Sequence, residues 1–563
     1  MLELLHRREV STEELAAFFA PPQSGLFDPD LLPDAGRFLA RIVAARARRE
    51  RVLVFGDFDA DGLTGLAILV RAFRVLGLAV QPYVPDRLEE GHGLSLAAIH
   101  TAEASGCRVI VTVDTGTSSF TEVDEAARRG IDVLITDHHR VPPQMPPALA
   151  VVNPQRPDST YPHRRLAGSG VAFKLAQLIL GELPDGPELA LDFADLATIG
   201  TVADVAPILG ENRSIARLGL DRIRQSPRPG IAALLARASI APAAVDLETV
   251  AFAIAPRINA AGRIGEAADA AALLLTDDPG EAAVLAERLD AANLTRRQMT
   301  RDVVADAETA IGELDPDAPA IVVRGPWPVG IVGLVASRLA ERTGRPAVVG
   351  AEVGAVVRGS CRSGGGFDLA RALGTCADLF TRHGGHAGAA GFELPAERWE
   401  AFARRFIALA EAGAPPDRRP ELQLDLALPS QEVDYVLLRE LAALAPTGPG
   451  NPDPLVAVLG LTVTRIRAAT GGHAQLTLRR RLDVLDGIAF NREDLVAAVR
   501  EGDHIDVVAR VMSRVFGGYE SLQLDIRDVA LAGRHDLAGE ATQAGTPVVA
   551  TALPGRAAAG VAP

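Results

Sequence analysis

The feature that most constrains the fold is an alternation of short apolar runs and helix-length segments that begins at residue 51. Four runs of strand length, RVLVFG, AVQPYV, RVIVTV and DVLIT, alternate with segments of helical length. Strands that alternate with helices in this way form β-α-β units, in which parallel strands make one sheet with helices on both faces. The sequence therefore predicts an α/β fold whose ligands bind at the carboxyl edge of a parallel sheet.

Acidic residues and histidines stand where several of these apolar runs end. They are Asp57, Asp59 and Asp61 in GDFDADG, Asp114 in VTVDTG, and Asp137, His138 and His139 in LITDHH. Asp204 in TIGTVADVAP follows an apolar, helix-like run in the same manner. Taken alone, GDFDADG also fits a solvated turn or an isolated calcium-type loop, and a lone Asp after a strand fits a helix cap. Because successive parallel strands end at one edge, we expect these side chains to gather there, where cations must offset their repulsion.

This set of side chains predicts a metal site. Carboxylates and imidazoles without cysteine suit Mn²⁺ or Mg²⁺, with Zn²⁺ or Co²⁺ as alternatives. The candidate ligands are too many for one ion and fit two. Two neighbouring ions can activate water and stabilise an in-line displacement at phosphorus, so the chemistry predicted is phosphoester hydrolysis.

The rest of the chain predicts three further regions. The pattern is mainly helical from about 168 to 314, with one spacer helix over 279–312, and a second α/β stretch begins at 319. Short alternating runs over about 454–530 predict a barrel of the OB type. The predicted domains are a helical lead-in at 1–48, a catalytic domain at 49–225, a helical connector at 226–314, a second α/β domain at 315–415, the barrel at 420–532 and a disordered tail at 533–563.

Composition excludes several classes of protein. Lys+Arg number 57 and Asp+Glu 72, for a net charge of −15, which excludes a globally basic binder but not a local basic groove. Lys174 is the only lysine, and it stands in VAFKLAQ, so the chain has no Gly-x-x-x-x-Gly-Lys-Ser/Thr phosphate loop. Three cysteines imply no disulfide framework, and the absence of a signal-peptide core or membrane-length apolar run predicts a cytoplasmic protein.

Ten segments in family order resemble the DHH phosphoesterase superfamily, whose name is the triplet Asp137-His138-His139. They are GDFDADG, PDRLEEGHGL, VTVDTG, TDHH, LAGSGVAFKL, TVADVAP, PRINAAGR, RGSCRS, GGHAGAAG and GPGNPDPL. Within the superfamily they are most similar to the single-strand-specific 5′→3′ DNA exonucleases. The resemblance implies a DHH domain and a DHH-associated domain joined by a long helix, followed by an OB-type barrel. It also implies hydrolysis of single-stranded DNA to mononucleotides with Mn²⁺ or Mg²⁺, in recombination and repair.

The resemblance further implies roles for individual residues. Those expected to act in catalysis are His139, at the scissile phosphate, Asp137 and Asp114. The implied metal ligands are Asp57, Asp59, Asp61, Asp114, His138 and Asp204, with Asp114 bridging two ions. The residues expected to hold the 5′-phosphate and DNA backbone are Arg257, Asn259, Arg263, Ser360, Arg362 and His386, although Arg257 and Arg263 could instead form salt bridges between the lobes.

The barrel is expected to guide single-stranded DNA, with Arg479, Arg480 and Arg481 as its clearest basic patch. Single-stranded-DNA-binding protein and a RecQ-type helicase are the expected protein partners of a monomer that acts at the nucleoid. The chain departs from the family pattern at Thr115, where Asn is usual, and at Pro328, where His usually follows Trp.

Two other functions compete with this hypothesis. One is a phosphodiesterase for oligoribonucleotides, cyclic dinucleotides or phosphoadenosine phosphate, which would not need the barrel. The other is a non-catalytic binding protein of the same fold, which predicts broken ligand motifs, whereas all of them are intact here.

Overall fold

The structure is a computed structural model that describes residues 2–8, 10–87, 89–312, 318–364, 366–413, 421–516, 519–533 and 548–551. Its contacts group the chain into two compact units. The parallel-sheet unit comprises Glu13–Arg297 and Pro446–Pro452. The barrel unit comprises Met1–Thr12, Gln298–Ala445 and Asp453–Pro563.

Helices and strands alternate through much of the chain. The helices are α1 (Leu2–Arg7), α2 (Thr12–Phe19), α3 (Ala35–Arg48), α4 (Ala60–Val75), α5 (Leu96–Ala104), α6 (Phe120–Arg128), α7 (Gly168–Leu180), α8 (Gly186–Leu191), α9 (Ala194–Ala203), α10 (Gly210–Gln225), α11 (Pro229–Arg237), α12 (Leu247–Thr249), α13 (Ala255–Ile264), α14 (Ala267–Leu275), α15 (Pro279–Gly312), α16 (Val329–Thr343), α17 (Leu369–Thr375), α18 (Trp399–Ala412), α19 (Tyr435–Ala442) and α20 (Leu495–Ala498). The strands are β1 (Arg51–Gly56), β2 (Ala79–Tyr83), β3 (Cys107–Val113), β4 (Asp132–Thr136), β5 (Ala150–Val152), β6 (Ile321–Gly325), β7 (Ala347–Val353), β8 (Val356–Arg362), β9 (Arg382–Gly385), β10 (Ala389–Pro395), β11 (Glu421–Leu424), β12 (Leu426–Pro429), β13 (Val456–Ala469), β14 (His473–Arg480), β15 (Asp483–Ala489), β16 (His504–Phe516), β17 (Tyr519–Leu531) and β18 (Val548–Thr551).

The parallel-sheet unit is built on the sheet that the sequence predicts. Its strand order is β2-β1-β3-β4-β5, and every neighbouring pair is parallel. The central strands are buried on both faces because helices cover both: Val52 and Val54 belong to one apolar core, and Leu53 and Phe55 to the other. The strands therefore bring their carboxyl ends to one edge, where predicted ligands follow β1, β3 and β4. Asp204 instead follows helix α9.

A buried ion pair explains the single lysine. Lys174 and Glu211 are both fully buried, with 3.1 Å between Nζ and a carboxylate oxygen. Tyr161 donates its hydroxyl to the other oxygen of Glu211 at 2.6 Å, and Lys174 donates to the Phe27 carbonyl. Burial lowers the pKa of Lys174 while the charge of Glu211 opposes that shift. The lysine is thus part of the core of this unit.

The predicted spacer helix is present, since α15 begins at Pro279 and ends at Gly312. Before it, one π-helical stretch over Val250–Ile254 leads into α13, which carries the PRINAAGR segment. π-Helical turns are rare and widen a helix locally.

The barrel unit contains a second α/β layer and the barrel. The second sheet has the order β6-β7-β8-β10-β9, with β6 and β7 parallel and the other pairs antiparallel. Phe392, Trp399, Phe402 and Phe406 pack together in its core. The sequence predicts β6, α16 and β7 from their strand–helix–strand pattern but not the antiparallel strands β8, β9 and β10, which lie in a Gly-rich region.

The barrel has OB-type strand order. Its strands run β13-β14-β15-β17-β16, the sheet closes through β13 and β16, and β12 joins the outside of β13. All neighbours within the closed ring are antiparallel except β15 and β17. Full closure removes exposed sheet edges from the ring. The predicted OB-type barrel is confirmed.

The tail differs from its prediction in one short segment. Val548–Thr551 forms an antiparallel ladder with Glu421–Leu424, although the composition of 533–563 predicts disorder throughout. The run VVAT is rich in β-branched residues, which favour strands, and the overall composition of the tail conceals this local preference. Most of the remaining tail lies outside the described residues. Among the described helices, none is long and apolar enough to cross a bilayer.

Candidate metal centre and nucleic-acid contacts

The predicted metal ligands meet at the carboxyl edge of the parallel sheet. Their side-chain atoms form three groups within which all ligand atoms lie within 4.8 Å of one another. These groups are Asp57 with Asp59 and Asp114, Asp114 with His138 and His139, and Asp61 with His138 and Asp204. Asp114 and His138 each belong to two groups, so the geometry suits more than one cation.

Unsatisfied polar atoms show that the residues present fit a cation. The buried atoms Asp57 Oδ1, Asp114 Oδ1 and His138 Nε2 have no hydrogen-bond partner among the described residues. Nε2 of His138 and Oδ1 of Asp114 lie 3.0 Å apart, although their geometry is not that of a hydrogen bond. Leaving such atoms unpaired in a buried place is costly, and a shared divalent cation would satisfy them.

The GDFDADG loop is held by hydrogen bonds that aim its carboxylates. Asp59 caps α4, and its Oδ1 accepts from the backbone N–H groups of Asp61 and Gly62 at 3.0 and 3.1 Å. Both oxygens of Asp61 accept from the first turn of α7, from Gly168 N at 2.6 Å and Ser169 N at 2.9 Å. The loop therefore keeps its carboxylates close together in spite of their charge.

Asp114 occupies a strained and crowded place. Its φ of 62° is left-handed, a conformation that non-glycine residues adopt rarely. A Cβ on Gly168 would lie 2.6 Å from that of Asp114, so only glycine allows α7 to approach. Backbone strain of this kind persists where the surroundings fix it, as at many functional sites.

Asp137 organises the DHH triplet through hydrogen bonds. Its Oδ1 accepts from the backbone N–H groups of His138 and His139 and contacts Nδ1 of His139 at 2.8 Å, while Oδ2 accepts from Thr117. Although burial opposes it, these bonds hold the pKa of Asp137 below its usual range. The same contact raises the pKa of His139 to about 9. His139 is half exposed, and its Nδ1 contact leaves Nε2 available to a substrate.

The site is electrostatically strained without cations. Burial, together with repulsion from Asp61 and Asp59, raises the pKa of Asp114 well above its usual range. Burial and the charge of Asp61 raise the pKa of Asp204 to about 7. Crowded carboxylates of this kind become stable as anions when positive charge is placed among them.

Three predicted DNA contacts, Arg257, Asn259 and Arg263, lie on α13. Arg257 forms an ion pair with Asp290, with 2.9 Å from Nε to Oδ1, and donates Nη1 to the Ala253 carbonyl. Oδ1 of Asn259 accepts from the backbone N–H of Ala60 at 2.8 Å. Arg263 is partly buried in the last turn of α13.

The other predicted DNA contacts lie in the barrel unit. Ser360 and Arg362 are two residues apart on the same face of β8 and lie over Gly333 near the start of α16. A Cβ on Gly333 would be 3.1 Å from Arg362 Nη2 and 3.4 Å from Ser360 Oγ. His386 is exposed between β9 and β10. A hydroxyl, a guanidinium and a helix start together suit an anion.

The three arginines of the barrel patch are not equivalent. Arg480 donates to the carbonyls of Ser430 and Val433, so its side chain is bound within the barrel. Arg479 and Arg481 are exposed. The patch therefore offers two exposed guanidinium groups.

Family models match most of the chain in the order that the motifs predict. The model described as the DHH family, N-terminal domain, matches residues 51–201, the DHHA1 domain matches 317–412, and the RecJ OB domain matches 424–528.

Proteins of known function match this chain over most of its length. The single-stranded-DNA-specific exonuclease RecJ of Bacillus subtilis (strain 168) is 36% identical over 535 residues, which cover 94% of this chain and 67% of that protein. RecJ of Thermus thermophilus is 38% identical over 504 residues, covering 88% of this chain and 72% of that protein. The chain belongs to the RecJ family. The resemblance to the DHH superfamily is thereby confirmed, and so is the likeness to its single-strand-specific exonucleases.

A solved RecJ structure supports the fold. The crystal structure of RecJ from Thermus thermophilus in complex with Mn²⁺ superposes with a TM-score of 0.79 at 33% identity, covering 94% of this chain and 78% of that one. RecJ from the same source has also been solved in complex with Mg²⁺. The predicted architecture of two α/β lobes, a long helix and an OB-type barrel is confirmed.

Sequence reasoning assigned no role to two residues that stand beside the RecJ-type acidic cluster. His92 Nδ1 lies 3.4 Å from Asp57 Oδ2, and its ring packs on Phe58 at 4.6 Å. Arg87 lies over the Phe58 ring as well, 4.7 Å from the ring centre. Both residues belong to PDRLEEGHGL, a motif that matches the family and so could have signalled them.

Each of the two departures from the RecJ pattern lies next to a regular element, Thr115 after β3 and Pro328 before α16. Thr115 is buried, and its carbonyl accepts from the Thr112 hydroxyl at 2.7 Å, which helps to fix the turn after β3. Pro328 precedes the first residue of α16, a position where the missing N–H of proline is tolerated. Neither departure removes a metal ligand.

Proposed function

We propose that the chain is a Mn²⁺- or Mg²⁺-dependent exonuclease that hydrolyses single-stranded DNA from the 5′ end and releases mononucleotides in recombination and repair. One observation carries the proposal: three overlapping groups of carboxylates and imidazoles converge at one sheet edge in a chain of the RecJ family. The OB-type barrel adds a surface suited to single strands.

The metal centre would be held by the six residues named from the sequence. They are Asp57, Asp59, Asp61, Asp114, His138 and Asp204. Asp114 and His138 each belong to two ligand groups, and we propose Asp114 as the bridge because a carboxylate has two oxygens that could each face a cation. When bound, two divalent cations supply Lewis-acid charge beside the phosphorus that is attacked. The backbone hydrogen bonds to Asp59 and Asp61 orient these ligands before any cation arrives.

His139 would stabilise charge on the scissile phosphate. Asp137 fixes its ring through Nδ1 and favours the protonated form, so Nε2 presents a positive N–H donor. Thr117 in turn holds Asp137. A positioned donor aimed at developing negative charge is an effective way to stabilise a transition state.

Cationic and hydroxyl groups would hold the DNA. We propose Arg257, Arg263, Ser360, Arg362 and His386 as contacts to the 5′-phosphate and backbone. Asn259, the sixth residue implied by the resemblance, accepts a hydrogen bond from the Ala60 amide. Planar guanidinium groups bind phosphate oxygens in pairs. Arg479 and Arg481 would contact the strand farther from the reacting end, giving binding that does not depend on sequence and weakens with salt.

The cellular setting is proposed on the family alone. A monomer acting in the cytoplasm on nucleoid DNA, with single-stranded-DNA-binding protein and a RecQ-type helicase as partners, would fit an enzyme that needs exposed single strands.

An end-label assay tests the proposal. With Mn²⁺ and a 5′-phosphorylated single strand, a 5′ label should appear at once as a mononucleotide, whereas a 3′ label should pass through progressively shorter strands. Degradation from the 3′ end, or full activity in EDTA, would contradict it. Rates on a dinucleotide serve as the comparison, because the competing small-substrate phosphodiesterase would cleave it faster than a long strand. That alternative is not favoured, since small-substrate enzymes do not require the barrel.

A further inference from the structure

Helix α13 touches the metal-binding loop directly, although the sequence alone predicts a DNA-binding role for its PRINAAGR segment. The contact joins residues that are 199 positions apart in the chain. It consists of a hydrogen bond from Ala60 to Asn259 and a close approach of Gly262 to Phe58.

The hydrogen bond completes the cap of the helix that carries the metal loop. The first N–H groups of α4 need acceptors from outside the helix. Asp59 supplies acceptors for Asp61 and Gly62 through its side chain and for Leu63 through its carbonyl. The remaining N–H, that of Ala60, donates to Asn259 Oδ1 at 2.8 Å. Without Asn259 this partly buried donor would lose its partner in the segment that joins two predicted ligands.

Gly262 allows the helix to come this close. A Cβ at that position would lie 2.5 Å from the carbonyl oxygen of Phe58, which stands between Asp57 and Asp59. On the far side, the ion pair of Arg257 with Asp290 fixes α13 to α15. The metal loop is therefore supported by a helix that is itself anchored.

We propose that Asn259 is a positioning residue for the metal centre, acting through the Ala60 amide to hold Asp59 and Asp61 in ligand geometry. This inference rests on the metal-dependent function proposed above. Residues that orient metal ligands typically contribute about 10- to 100-fold to metal affinity.

Two variants at Asn259 separate this role from a direct DNA contact. Asn259→Asp keeps an oxygen that can accept from Ala60 but loses the amide donor and adds negative charge, which a phosphate would disfavour. Asn259→Ala loses the acceptor as well. We expect Asn259→Ala to weaken Mn²⁺ binding by about 10-fold, and Asn259→Asp to stay within about threefold of the unchanged chain.

Gly262 in α13 and Gly265 at its C-terminal end provide a matched pair. Gly262→Ala should weaken Mn²⁺ binding because the new methyl group would displace the Phe58 carbonyl. Gly265→Ala should leave Mn²⁺ binding unchanged, because the atom nearest to the added Cβ would be 3.5 Å away and the φ of Gly265 is −131°. Thermal unfolding of each variant distinguishes a local change from loss of the fold.

The experiment is equilibrium Mn²⁺ binding to the full chain, stripped with EDTA and free of DNA, with unbound Mn²⁺ measured by electron paramagnetic resonance. Affinity for a cleavage-resistant 5′-phosphorylated strand is measured in parallel at saturating Mn²⁺. Weaker Mn²⁺ binding by Asn259→Ala and Gly262→Ala, with DNA affinity within about twofold, supports the inference. Unchanged Mn²⁺ binding in folded Asn259→Ala overturns the positioning role of Asn259 but not the proposed function. A loss of Mn²⁺ affinity in Asn259→Asp equal to that in Asn259→Ala has the same consequence. Failure of the unchanged chain to bind Mn²⁺ would overturn the proposed metal-dependent function as well.

Discussion

The acidic edge of the parallel-sheet unit and the cationic surface of the barrel unit differ in how tightly their side chains are held. Asp57, Asp61 and Asp114 are buried and fixed among neighbouring backbone segments. His386 and Arg481, in contrast, are exposed. Catalysis needs atoms that are placed to within a fraction of an ångström, which the buried side chains of the acidic edge provide. Guiding a flexible strand needs only charged side chains that can reach it. Removing one side chain at the acidic edge should therefore reduce activity much more than removing one on the cationic surface.

The largest effect is expected from Asp114→Ala. If two cations share this carboxylate, its loss weakens both sites and should reduce cleavage by about 10³-fold or more, since metal ions contribute several kcal/mol to such reactions. Single-turnover cleavage of a labelled strand measures the loss. Asp132→Asn is the matched control, because Asp132 begins β4 at the opposite edge and pairs with Arg41. Normal turnover in Asp114→Ala would make the bridging assignment wrong.

A smaller and more selective effect is expected from Arg362→Ala. If its guanidinium binds the 5′-phosphate, KM for a 5′-phosphorylated strand should rise about 10- to 100-fold, as for loss of a charged hydrogen bond, while KM for a 5′-hydroxyl strand changes little. Arg358→Ala, on the same face of β8 but paired with Glu393, should leave both values unchanged. An equal rise with both strands would contradict a role in 5′-phosphate recognition.

The smallest effect on DNA binding is expected at single barrel arginines. Arg479→Ala or Arg481→Ala should each lower the slope of log affinity against log salt by about 1 and reduce affinity modestly. A salt titration of binding to a long single strand measures this slope. An unchanged slope in both variants would show that the DNA strand does not contact Arg479 or Arg481.

Arg480→Ala should act differently from its neighbours. Its side chain bonds two carbonyls within the barrel unit, so its loss should reduce the free energy of unfolding by about 1–3 kcal/mol and leave the salt slope unchanged. Chemical denaturation alongside the salt titration separates the two results. A stable variant with a lower slope would show that Arg480 also binds the strand.

The sequence predicted the sheet and the metal ligands well because both follow from short-range patterns. Apolar runs define β1, β3 and β4, and the topology of parallel strands then places Asp57, Asp114 and His138 at one edge. The residues that hold these ligands were harder to predict. Thr117 and Ser169 bond to Asp137 and Asp61 through contacts that no local pattern encodes.

The hydrogen-bond partners of individual side chains were the least predictable feature. Asn259 and Arg480 look like their neighbours in sequence, yet both bond to backbone groups that lie 199 and up to 50 positions away. An amide can accept from a backbone N–H or donate to a phosphate, and a guanidinium can donate to a carbonyl or to a phosphate, so residue type alone could not decide. The short strand at 548–551 was missed because its partner at 421–424 is remote in sequence.

The number of Mn²⁺ ions bound per chain tests the central claim most directly. The three overlapping ligand groups, two of which share Asp114, predict two Mn²⁺ per chain at saturation, and weaker binding of both in Asp114→Ala. Metal bound by the stripped chain can be counted by equilibrium dialysis with elemental analysis. No bound Mn²⁺ in the unchanged chain, or two ions of undiminished affinity in Asp114→Ala, would contradict the account.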